Sequence, residues 1–226
     1  MLAVAFGNSL IVRGGPVMIP ILIGSFYGLY LIIERGLLYW KMRVNARDFA
    51  ERVLSHVRLG NYEAAQEACR STAHPLGALF SEAIQHRRLS RVDLERLLSR
   101  TAELEIRNLE VGLGTLSTIT AMEPMLGFLG TIIGLIGAFM AWEQLGTSIT
   151  INALAAGIYQ AMITTAAGLI IAIPFYIFYN IFTGFVRGIA DDFNVHGNAF
   201  RDEIAKDQEN MRVASESTRR RSEIDL

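Results

Sequence analysis

The 226-residue chain has one cysteine, Cys69, so no intramolecular disulfide can form. Its four histidines, His56, His74, His86 and His196, show no metal-ligand spacing and read as surface residues. No metal and no cofactor are expected. A phosphate-cradling glycine loop and a nucleophile–base arrangement are both missing, which argues against an enzyme. A net charge of −1 gives no footing for nucleic acid. The most informative absence is local. Charged residues are missing from 14–33, from 124–142 and from everything between Glu143 and Arg187.

A hydrocarbon core roughly 30 Å thick is crossed by about 20 helical residues, so each uncharged block is long enough to span a bilayer. The fold class expected is an all-α membrane protein with three transmembrane helices and long helical cytoplasmic extensions. The first block lacks a charged leader and a small-residue cleavage site, so it reads as a retained helix rather than a signal peptide. The boundaries expected are an N-terminal segment at 1–13, spans at 14–34, 113–143 and 156–186, a cytoplasmic helical region at 35–112, an outer loop at 144–155, and a C-terminal helix with a disordered tail at 187–226.

Thirteen Lys and Arg lie between the first two spans and seven follow the third. The loop between spans two and three has none, and only Arg13 precedes the first span. The positive-inside rule therefore places the N-terminus outside and the C-terminus in the cytoplasm. Tyr39 and Trp40 read as aromatic anchors at the inner interface.

Between the first two spans, 45–59 reads as an amphipathic helix, Asn61 caps a second, and Pro75 opens a third. Ser90 with Asp93 forms a capping signature for a fourth. From there to Trp142 the pattern suggests one nearly continuous helix of about 80 Å, of which roughly 50 Å projects into the cytoplasm. These segments read as extensions of the membrane bundle and not as a separately folded body.

Gly127, Gly130, Gly134 and Gly137 recur three or four apart in the second span, around Thr131. Small residues at that spacing let helices approach closely in lipid, and Gly157 and Gly168 read the same way in the third span. In "GIYQAMITTAAGL", Gln160, Thr164 and Gly168 form one stripe, with Gly157, Ala161 and Thr165 beside it. Polar groups inside a span face the bundle interior or a water-filled path. The plainer alternative for Thr131, Thr164 and Thr165 is a hydrogen bond back to the carbonyl four residues earlier. Glu123, one residue before Pro124, reads as an inner-mouth proton acceptor, as a partner for a cation such as Arg187, or, preferred of these, as a solvated helix-boundary charge. Pro174 is expected to kink the third span, with Asn180 bonding the backbone groups set free.

"EPMLGFLGTIIGLIGAF" and "AGIYQAMITTAAGLIIAIPFYIFYN" together resemble the signature pair of the MotA/TolQ/ExbB proton channel family, most closely ExbB. "GNYEAAQEACRSTAHPLGALFSEAI" is similar to the ExbB-like pattern as well. The resemblance implies a homopentameric ring in the bacterial inner membrane, surrounding the single spans of an ExbD- or TolR-like dimer, with a TonB- or TolA-like energy transducer as a further partner. It implies that proton flow through the ring powers work at the cell envelope, and that Thr131 and Thr165 line the pore. It also marks a departure: Gln160 stands where ExbB and TolQ often carry glutamate. An amide cannot titrate, so the resemblance places the proton-carrying carboxyl on the partner. A non-conducting scaffold and a sodium-driven version of the same ring stay open as alternatives.

Overall fold

Side-chain caps start three of the helices between the first two uncharged blocks, those at Asn61 and Ser90 as expected. The Asn45 side chain accepts from the N–H groups of Arg47 and Asp48, Asn61 from Ala64 at 3.1 Å, and Ser90 from Asp93 at 3.2 Å. In the computed structural model, which describes residues 13–146 and 150–206, the helices are α1 Met18–Lys41, α2 Ala46–Arg58, α3 Tyr62–Arg70, α4 Leu76–Gln85, α5 Arg91–Glu110, α6 Leu113–Leu145 and α7 Ile151–Asp192. A π-helical turn, Phe193–Gly197, follows α7, and helical backbone resumes over 198–206. Among the described residues there is no strand. Three helical stretches are long and apolar enough to cross a membrane. They begin in α1, in α5–α6 and in α7. The expectations for the N-terminal segment and for the tail beyond 206 fall outside the described residues, apart from Arg13.

The helix expected from Ser90 to Trp142 is divided. Val111 and Gly112 form a tight turn between α5 and α6, with Gly112 at φ 82°. A side chain is strained at that φ, and glycine is not. α7 begins five residues earlier than the third span expected from the sequence.

The chain forms two compact units. Of the described residues, those up to 36 and from 112 to 182 make up the first, and those from 37 to 111 and from 183 on make up the second. In the first, Val17, Met18 and Ile21 form a core against Leu126, Ala167 and Ile171, so α1 packs on both other spans. Many large apolar side chains of this unit face outward, among them Phe26, Phe128, Phe139 and Ile170. Outward apolar faces on long helices suit lipid or another chain far better than water.

The second unit corrects the expectation of mere helical extensions, because it has a hydrophobic core of its own. Phe80 is fully buried and stacks on Phe200 at 4.2 Å and on Phe49 at 5.9 Å. Leu76, Leu79, Val53, Leu94 and Ile204 complete the core. Arg58–Glu203 and Arg91–Asp202, both at 3.2 Å, join the helices around its rim. Tyr39, expected as an interfacial anchor, is buried here. Its hydroxyl donates to the Leu109 carbonyl at 2.7 Å and its ring stacks on Phe185. Trp40 is exposed.

Candidate functional site: the α6–α7 seam

The small residues of α6 and α7 bring two backbones into direct contact in the first unit. A Cβ added to Gly134 would lie 2.7 Å from the Gly157 carbonyl oxygen, and one added to Gly157 2.6 Å from the Gly134 carbonyl. At Gly168 it would meet the Glu123 carbonyl at 2.5 Å, and at Gly127 the Thr165 Cα at 3.1 Å. Gly130 is covered by the Thr164 side chain. Gly137 differs: a Cβ there would meet nothing within 4 Å, so it takes no part in this seam.

The seam places Thr131 and Thr165 opposite each other, with their hydroxyl oxygens in direct contact. Thr165 donates across the seam to the Gly127 carbonyl at 3.0 Å. Its oxygen is then free to accept from Thr131, whose hydroxyl also lies 3.2 Å from the Gly127 carbonyl and 3.5 Å from that of Ala161. Two hydroxyls and two carbonyls thus converge. A hydroxyl pair is at once donor and acceptor, so it can pass a proton along by reorienting. The same all-oxygen set suits a hard cation.

Thr164 is distinct from this pair. It is fully buried, and its hydroxyl bonds back to Gln160 and Ala161 carbonyls at 3.1 and 3.0 Å. Its geometry is that of packing. The Gln160 amide nitrogen stands against Gly15, before the start of α1. Gln160, Arg13, Asn152 and Tyr159 line an open groove of about 740 Å³ beside Gly134 and Gly157.

Glu123 departs from the solvated boundary charge preferred on sequence grounds. It is 1% exposed, and its Oε2 has no hydrogen-bond partner. The reason is its register on α6: it faces α1, where its Oε1 presses on Gly24. It forms no ion pair among the described residues, and Arg187 is exposed. Pro124 and Pro174 sit inside α6 and α7, which run on through them. Asn180 donates to the Tyr176 carbonyl at 2.7 Å, not to the Ile170 carbonyl that Pro174 deprives of its usual donor.

Two contributors went unread in the sequence, Gly24 and Gly28 on α1. Gly28 is filled by the Phe175 ring, as Gly24 is by the Glu123 carboxyl. Their signal was present, since "GSFYG" has the same small-x-x-x-small spacing as Gly130 and Gly134.

In the second unit His74 corrects the reading of surface histidines. It is 3% exposed, its Nδ1 accepts from the Leu76 N–H at 3.2 Å, and its Nε2 lies 3.7 Å from Asp192. Burial lowers its pKa; Asp192 opposes that shift and His196 adds to it.

A profile of the MotA/TolQ/ExbB proton channel family matches residues 71–194. An ExbB homolog of Methanothermobacter thermautotrophicus, described as a biopolymer transport protein, is 33% identical over 76% of this chain and 61% of its own length. A biopolymer transport protein of Synechocystis sp., ExbB-like 1, is 32% identical over 71% of this chain and 64% of its own. The ExbB of Neisseria meningitidis is 31% identical over 71% of this chain and 81% of its own. The chain thus spans somewhat less than two thirds of the first two relatives.

Proposed function

The chain belongs to the MotA/TolQ/ExbB proton channel family and is a multi-pass membrane protein, and on that premise we propose that it conducts protons as one subunit of an ExbB-type ring. The ring is a homopentamer in the bacterial inner membrane, with N-termini outside and C-termini in the cytoplasm. It encloses the span of an ExbD- or TolR-like dimer, whose carboxyl supplies the titrating group that Gln160 does not. Proton passage through the pair drives a TonB- or TolA-like transducer and so powers transport across the envelope. The chain itself performs no enzymatic step.

The observation that carries this reading is the Thr131–Thr165 hydroxyl pair, held at one point of the apolar seam by glycine contacts above and below. Uncompensated polar groups are costly in lipid, and a pair aligned across two spans is a natural stepping point for a proton. The outward apolar faces of the spans supply surface for neighbouring subunits. The test is co-reconstitution with a single-span acidic partner and measurement of proton uptake. Flux that disappears in Thr165→Ala and in the partner's carboxyl variant supports the proposal; flux unaffected by both refutes it.

A second reading has an observation of its own. The Thr165 hydroxyl is already satisfied by Gly127, so it also fits a purely structural bond of about 0.6–2 kcal/mol between spans. A non-conducting scaffold of that kind gives no flux with any partner, and in it Gln160→Leu disturbs assembly. A sodium-driven ring gives flux that follows a sodium gradient.

A further inference from the structure

Glu123 is the one carboxyl inside the three packed spans, and the pathway proposed above does not use it. Residues 14–33, 113–142 and 151–182 contain no other Asp, Glu, Lys, Arg or His; tyrosines are the only other titratable groups there. Glycines of both neighbouring helices lie against Glu123. Gly24 of α1 lies under the carboxyl, with Ile119 of α6 beside it, and Gly168 of α7 lies against the backbone of the same residue. None of these offers a side-chain donor. On α1 the charged residues that follow, Glu34 and Arg35, pair with each other at 3.3 Å. Glu123 is thus 1% exposed with one carboxyl oxygen left without a partner.

A buried carboxylate without a partner is far more costly than a buried neutral acid. The packed arrangement accordingly suits the acid, and the ionised form needs water or a cation, which a parting of α1 from α6 at Gly24 would admit. Glu123 also shares one face of α6 with Gly127 and Thr131, four and eight residues on, which places it about 12 Å along the helix from the hydroxyl pair.

We propose that Glu123 is a proton-binding site of this chain, occupied when α1 is packed on α6 at Gly24 and emptied when that contact opens. In the emptying step the carboxyl O–H bond breaks, its electron pair stays on the carboxylate, and the proton leaves to water. Refilling reverses the step. Proton occupancy of the subunit is thereby tied to the α1–α6 contact, and the ring has a carboxyl of its own despite the amide at 160. The inference deepens the channel reading and rests on it for its role, but its test does not depend on flux.

The test is infrared spectroscopy of the full chain in lipid bilayers, with glutamate carboxyls isotopically labelled. At neutral pH a protonated-carboxyl band is expected that Glu123→Gln abolishes and Thr165→Ala leaves in place. Gly24→Ala, which puts a methyl where Oε1 lies, is expected to shift or remove the band while the chain stays folded. Absence of any Glu123-dependent acid band overturns the inference, whatever the flux. In the reconstituted complex, Glu123→Gln is expected to lower proton flux about tenfold or more, with partial recovery in Glu123→Asp. Wild-type flux that Glu123→Gln leaves unchanged overturns the role in transport; absence of wild-type flux overturns the channel reading instead, and leaves the band to decide on the site.

Discussion

The Thr165 hydroxyl reaches across the seam to the Gly127 carbonyl at 3.0 Å, while the Thr131 hydroxyl touches Thr165 from the other helix. The pair therefore sits at a backbone-to-backbone crossing, where a methyl group too many is felt at once.

That crossing sets the first expectation. Gly134→Ala and Gly168→Ala each drive a Cβ into backbone, which cannot yield as a flexible side chain does. Overpacking of this kind costs typically about 1–3 kcal/mol. Gly137→Ala meets open space in the chain and should leave its stability unchanged. Thermal unfolding of the three variants in the same detergent checks the contrast.

The second concerns acid. His74 titrates lower folded than unfolded, chiefly through burial, so the unfolded chain binds the proton first. Its contribution to stability is fully present above its ordinary value of 6.5 and is lost as pH falls through the lower folded value. His74→Asn keeps an acceptor for the Leu76 N–H and removes the titration. Unfolding followed against pH should show a decline on the acid side that this variant flattens.

The third concerns Cys69. Burial pushes its thiol up to about 12, and the thiolate is the reactive form. A maleimide should therefore label the chain only after denaturation. Labelling of the folded chain at the same rate would contradict the packing of α3 in the second unit.

Much of the architecture is legible before any coordinates. Three uncharged blocks force three spans, and Asn61 and Ser90 announce their helices because capping is a local interaction. Thr131 was legible among the glycines of the second span and Thr165 on a stripe of the third, and the resemblance named them; their mutual contact depends on how the glycines mesh. Glu123 misled for a tertiary reason. An acid beside a proline at the edge of an apolar run looks hydrated, and the helix that covers its carboxyl, α1 at Gly24, lies far away in the sequence. The second unit was missed because each short helix, such as α2 with Phe49 and Val53, buries a single face, and amphipathicity does not tell which partner covers it. The π-helical turn at Phe193–Gly197 left no signal that was read; its residues bury Phe193 and Gly197 in that same core.

Proton uptake by vesicles holding the chain with the single-span acidic partner proposed for it, compared among the wild type, Thr165→Ala and Thr165→Ser, is the most direct measurement. If the hydroxyl pair carries the proton, flux is present in the wild type, falls about tenfold or more in Thr165→Ala, and returns in large part with Thr165→Ser, which restores the hydroxyl alone. Equal flux in all three would contradict it.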